Sequence, residues 1–133
     1  MKLQSLGNPF VRALLRSRLH GLLSGSLLLV TYTGRRSGRT FTIPVMFAEV
    51  GADLVVYVGG SREKVWWRNL RAGAPVRVRL RGEELAGTGT AVVDDPELRE
   101  KYLARFPRAA ASLASDLSPV FVRITELRPA NDK

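Results

Sequence analysis

Three arginines, a hydroxyl and two glycines share one short stretch, Thr33-Gly34-Arg35-Arg36-Ser37-Gly38-Arg39. Guanidinium groups present forked donors that match phosphate or carboxylate oxygens, and the glycines allow a tight turn and close backbone approach to a ligand. The stretch reads as an anion cradle; the plainer reading is a solvated turn that happens to be basic. It lacks P-loop spacing and is followed by a strand pattern, which gives no support to nucleoside triphosphate binding. A second candidate is Gly59-Gly60-Ser61, leading into Arg62-Glu63-Lys64-Val65-Trp66-Trp67-Arg68-Asn69-Leu70. Glycines ahead of a helix start leave backbone N–H groups free to meet an acceptor-rich ring or an anion. Both tryptophans sit here, and one of such a pair is ordinarily core. Asn69 is a weak helix former in an expected helix, so a polar contact to an adjacent loop is its expected role.

Other chemistries lack their parts. The chain contains no Cys and a single His, His20, which excludes disulfides, thiolate metal sites and thiol redox chemistry and leaves no His-rich metal site. A Ser-His-Asp triad and a hydrolytic zinc centre lose most of their components for the same reason. The 133 residues suit one domain, and 45% hydrophobic with 25% charged residues is a globular composition. The longest aliphatic run, Leu27 to Val30, is far short of the ~20 residues that span a bilayer, and no signal peptide is evident, so a cytoplasmic protein is expected. Net charge is +9, with 17 of the 21 basic residues Arg, which implies an anionic partner: nucleic acid, an acidic membrane or a phosphorylated or carboxylated small molecule.

The elements that must position these residues are mostly strands. Runs rich in β-branched and aromatic residues at 27–33, 40–50, 54–59, 76–81, 84–93 and 120–127 are separated by Gly-containing turns. Six antiparallel strands suffice to close a small barrel, with hairpins at Gly51-Ala52-Asp53 and Gly82-Glu83. Val76, Val78 and Leu80 alternate with Arg77, Arg79 and Arg81, so that strand has one buried and one cationic face. One helix is expected over 62–72, capped by Ser61, and another from Asp95-Pro96, with Leu98, Tyr102 and Phe106 on one face and Pro107 at its end. Residues 1–24 form an N-terminal arm whose stripe Val11, Leu14, Leu15, Leu19 and Leu22 would pack on the barrel at 25–133 or lie on an anionic membrane.

The run Leu27-Leu28-Leu29-Val30-Thr31-Tyr32-Thr33-Gly34-Arg35-Arg36-Ser37-Gly38, then Pro44, then Trp66-Trp67-Arg68-Asn69-Leu70 before an Ala-Pro-Val strand, resembles the deazaflavin-dependent nitroreductase family. The likeness covers about residues 25–127. It implies a mainly β, α+β architecture: a six-stranded antiparallel split β-barrel with flanking helices, like the FMN-binding and pyridoxamine-phosphate-oxidase-like proteins. It also implies binding of the 8-hydroxy-5-deazaflavin coenzyme F420 and hydride transfer to a quinone, nitroaromatic or activated double bond. Carried over, Arg35, Arg36 and Ser37 grip the coenzyme's phosphate and acidic tail, with Arg39 as the only basic substitute for a position that is Phe41 here. Gly59, Gly60 and Ser61 lie along the ring, and Pro44, Trp66 and Asn69 complete the cofactor set. Glu63-Lys64 replaces a His-Pro, and Ala109 and Ser112 stand where pocket-closing tyrosines occur. Such a coenzyme carries its own reactive carbon, so the protein needs neither triad nor metal. The acceptor's proton would come from water, Tyr32, Tyr57 or Tyr102.

Two other readings compete. A split barrel that uses FMN or haem, or only stores the deazaflavin, shares the fold, although His20 is the one obvious axial ligand. A small basic barrel for single-stranded nucleic acid needs aromatic platforms within a charged groove. The cationic strand carries none, and Phe41, Phe47 and Tyr57 fall on other strands, so no nucleic acid is expected.

Overall fold

A computed structural model describes residues 27–61 and 64–130. The expected N-terminal helix, and with it the arm's packing, lies outside the described residues.

The described residues form one antiparallel sheet of seven strands: β1 (Leu27–Thr33), β2 (Thr40–Met46), β3 (Ala48–Val50), β4 (Asp53–Val58), β5 (Ala74–Leu80), β6 (Glu83–Val93) and β7 (Val120–Pro129). Their order is β2-β1-β5-β6-β7-β4-β3. The two edge strands, β2 and β3, are joined by the single residue Phe47. Residues two apart in a chain lie within about 7 Å of each other, so the sheet must curl until its edges meet. This corrects the expected strand count from six to seven: the single run at 40–50 breaks where Phe47, 1% exposed, turns into the core and carries the chain from one edge to the other.

The enclosed core is built by alternation. Leu28 and Val30, Leu54 and Val56, Val76 and Val78, and Val122 and Ile124 point inward, joined by Trp67 and Leu70 from the segment between β4 and β5. The opposite side of β4 and β7 is covered too. Val55 and Phe121 pack under α1 (Pro96–Arg105) and α2 (Ala110–Ala114) through Leu98, Tyr102 and Leu113. Two-sided cover explains why β4 reads as a nearly continuous apolar run.

Asp95 caps α1 as expected: its carboxylate accepts from the N–H groups of Glu97 and Leu98 at 3.0 and 3.2 Å. Pro107 ends α1 and opens a short 3-10 turn that leads into α2, which the periodicity does not predict. At Gly87 the β6–β7 register shifts, and a Cβ there would lie 2.7 Å from the Thr125 carbonyl oxygen, so only glycine fits the bulge.

The cationic face of β5 is not free. Arg79 pairs with Glu84 at 3.0 Å, and Arg81 pairs with Glu49 at 3.1 Å while lying over the Phe47 ring.

Candidate active site

The basic turn leaves β1 and re-enters as β2. Its closure follows from backbone hydrogen bonds: Gly34 N–H donates to the Arg39 carbonyl at 2.8 Å, and Gly38 N–H to the Gly34 carbonyl at 2.9 Å. Ser37 Oγ accepts from Arg39 N–H at 3.2 Å, which leaves the hydroxyl proton available to a ligand. The second segment has a shape the sequence does not predict. Instead of a helix over 62–72 capped by Ser61, a five-residue 3-10 turn runs Trp66–Leu70, its N-cap is Val65, and no side chain caps it. Tryptophan sets this geometry. Trp67 is buried in the core, and its indole N–H donates to the Ser61 carbonyl at 3.1 Å, tying the 59–61 loop to the turn. Ser61 is thus tied to the turn through its carbonyl, and the 3-10 turn starts at Trp66.

Asn69 joins the two segments. Its Oδ1 accepts the Arg35 backbone N–H at 2.8 Å, and its Nδ2 donates to the Trp66 carbonyl at 2.9 Å. The polar contact expected of Asn69 is thus to the basic turn itself.

A cavity of about 370 Å³ lies between them, lined by Gly34, Arg35, Arg36, Ser37, Val65, Arg68 and Asn69. It gathers four of the expected cofactor residues and adds Arg68. The Nε of Arg68 is buried and finds no hydrogen-bond partner among the described residues, while its guanidinium lies 5.5 Å from the Trp67 ring centroid. A buried guanidinium N–H without a protein acceptor can be satisfied by a ligand acceptor, and three arginines at one cavity favour an anionic one. The residues therefore fit the acidic part of a coenzyme. The sequence signal for Arg68 was present in its neighbours Trp67 and Asn69.

A second cavity, about 630 Å³, is lined by Tyr57, Gly59, Gly60 and Ser61 together with Ser112, Ser115, Asp116, Leu117 and Ser118. Gly60 has φ of +70°, a left-handed conformation that side chains resist. Of the three tyrosines expected to supply a proton, only Tyr57 lines this cavity. Its hydroxyl donates to Asp116 Oδ2 at 2.7 Å. Burial, and then the hydrogen bond and negative charge of Asp116, raise the Tyr57 pKa well above the usual phenol value. Tyr102 sits in the second core against Phe106 and Phe121, and Tyr32 is packed between Phe41 and Trp66; burial raises the pKa of both.

Arg39, Pro44 and Trp66 line neither cavity. Arg39 lies over the Phe41 ring at 5.8 Å, and Trp66 packs against Tyr32. Pro44 pairs with Leu29 in edge strand β2, where a residue without an N–H is tolerated.

The sequence profile of F420H(2)-dependent quinone reductase matches residues 11–124. The chain belongs to that family. It is therefore an oxidoreductase, and its coenzyme is F420. Among solved structures it is similar to an F420-H2 dependent reductase, FDR-A, with 26% identity over 75% of this chain and 94% of that one, at a TM-score of 0.58. A structure described as a domain-swapped dimer matches at 23% identity over 90% and 96% of the two chains, TM-score 0.61. A pyridoxamine 5′-phosphate oxidase-like protein from Listeria innocua shares the fold at 17% identity over 86% and 97%, TM-score 0.55. None of the curated proteins compared with the chain matches it significantly. Among the described residues, no helix is long and apolar enough to cross a membrane.

Proposed function

We propose that the family chemistry is directed here to a small organic acceptor, a quinone, nitroaromatic or activated double bond, placed in the larger cavity while the coenzyme's acidic part occupies the smaller one. The observation that supports this division is a pair of cavities with contrasting linings, one with Arg35, Arg36 and Arg68 and the other with Tyr57, Asp116 and serines. Arg35, Arg36, Arg68 and Ser37 would hold phosphate and carboxylate oxygens through charge-assisted hydrogen bonds. Gly59, Gly60 and Ser61 would lie along the ring, and the loop is held for that purpose by the Trp67–Ser61 hydrogen bond.

When bound, reduced F420 supplies the hydride from its own ring carbon. The chain's residues then have three tasks: to anchor, to orient and to shield. Trp67 and Asn69 fix the two loops relative to each other, so ring and tail are positioned by one rigid unit. The proton at Tyr57 Oη is held by Asp116, so water is the nearer source for the acceptor's proton.

Titration separates the readings. Oxidised F420, FMN and an oligonucleotide, added separately with tryptophan fluorescence as readout, should show tight binding for F420 alone. Arg35→Ala and Arg36→Ala should each weaken that binding by ~1.5–3 kcal/mol, roughly ten- to a hundredfold, with the difference shrinking as salt rises. Unchanged dissociation constants in both variants would remove the turn as the anion site.

The sequence expectation for the arm at residues 1–24, that it would pack on the barrel or lie on an anionic membrane, is open to test. Deleting it and comparing melting temperature with liposome binding decides between the two.

A further inference from the structure

We propose that Asp116 determines acceptor specificity: it makes the larger cavity select neutral or cationic acceptors and reject those bearing a carboxylate or sulfonate beside the reacting ring. This rests on the reading that the acceptor sits in that cavity, next to Gly59, Gly60 and Ser61.

Asp116 carries the only formal charge among the described residues lining the cavity, in a chain whose net charge is +9. The charge is held in place from both ends. Oδ2 accepts from Tyr57 Oη at 2.7 Å, and Oδ1 accepts from Ser118 N–H at 3.2 Å. Its own backbone N–H donates to the Leu113 carbonyl at 3.2 Å, which fixes the residue to the end of α2. The carboxylate is half-buried, so its field is less screened by water than that of a surface group.

Tyr57 extends the same polarity. Because its proton is directed at Asp116, the phenol offers the cavity its lone pairs and not a donor. The hydroxyls of Ser112 and Ser118 can adapt, while the single Ser115 hydroxyl is shared between the Ala111 and Ser112 carbonyls. An acceptor that brings its own hydroxyl or amino donor, or a positive charge, complements these groups. An anionic acceptor meets the fixed negative charge of Asp116 and the lone pairs of Tyr57.

The arrangement has a second consequence. The smaller cavity, lined by Arg35, Arg36 and Arg68, has the opposite sign. With the two cavities of opposite sign, an acidic tail is drawn to one and turned away from the other. A ligand entering backwards would place its anion against Asp116.

Three naphthoquinones of matched ring and size test this: 2-methyl-1,4-naphthoquinone and its analogues with a sulfonate or a trimethylammonium group at the same position. Initial rates are measured with F420H2 for wild type, Asp116→Asn and Tyr57→Phe, and the affinity of each variant for oxidised F420 is measured separately by fluorescence. In the wild type the sulfonate should have at least a tenfold lower kcat/KM than the neutral and cationic quinones, with the difference carried by KM. Asp116→Asn, which keeps an oxygen for the Tyr57 hydrogen bond, should recover the sulfonate about tenfold and lose any preference for the cation, with unchanged F420 affinity. Tyr57→Phe should retain the discrimination, since the charge remains. A wild type that binds F420 but treats the three quinones alike overturns the proposal alone, as does an Asp116→Asn variant with wild-type discrimination. A wild type that does not bind F420 overturns both the proposal and the reading beneath it.

Discussion

Asn69 gives the most direct test of how the site is assembled, because one side chain bonds both the basic turn and the 3-10 turn. Asn69→Ala removes a 2.8 Å bond from the exposed Arg35 amide and a 2.9 Å, partly buried bond to the Trp66 carbonyl. At ~0.5–1.5 kcal/mol for each hydrogen bond, the loss is about 1–3 kcal/mol. For a domain of this size that lowers the melting temperature by roughly 4–12 °C. Freeing the Arg35 backbone also loosens the cradle, so F420 should bind about three- to tenfold more weakly, an effect of ~1 kcal/mol. Asn69→Asp separates the two effects. It keeps an acceptor for the Arg35 amide but loses the donor to Trp66, so it should melt between wild type and Asn69→Ala. Its carboxylate would face the coenzyme's anion, so F420 affinity should fall below that of Asn69→Ala. Thermal melts by circular dichroism and fluorescence titration measure both quantities. An Asn69→Ala variant that melts within about 1 °C of wild type and binds F420 equally well would refute the claim that this side chain couples the turns.

Other predictions follow from single contacts. Arg68→Met removes a buried donor that no described residue accepts from, so urea stability should stay within ~0.5 kcal/mol while F420 affinity drops at least about tenfold; a stability loss without a binding loss would contradict the assignment. Gly60→Val forces a branched side chain to φ near +70°, at ~1–2 kcal/mol or more, and should abolish F420 binding; a folded variant of wild-type affinity would place the ring elsewhere. Asp95→Ala should destabilise the fold by ~1 kcal/mol through loss of the α1 cap, with F420 affinity unaltered, since the cap lines neither cavity. The pKa values of Tyr32, Tyr57 and Tyr102 all lie above the unfolded phenol value of 10.0, so their folded protonated forms are favoured. Stability should therefore be level below pH ~10 and fall above it, as unfolded phenols ionise first, and Tyr57→Phe should make that fall shallower in urea melts.

The sequence alone was sufficient for whatever depends on local pattern. Alternation in β5 placed Val76, Val78 and Leu80 inward because successive side chains in a strand must face opposite ways, and Asp95-Pro96 marked the start of α1 through its cap. The arginine turn, the glycine loop and the polar contact of Asn69 were legible for the same reason: residue type restricts what backbone and ligand can do nearby. Tertiary structure decided what depends on partners distant in sequence. Phe47 breaks one expected strand into two because it must fill a barrel core whose walls come from β1, β4, β5 and β7. Trp67 likewise shortens an expected helix to a 3-10 turn, since core burial and the Ser61 carbonyl constrain its ring more strongly than helix propensity constrains the backbone. Arg68 and Asp116 reach their cavities through tertiary packing: one lies beside the basic turn, and the other is brought to Tyr57 from 59 residues away. No spacing rule in the sequence connects such a pair; their contact exists because α2 returns the chain across the outer face of β4.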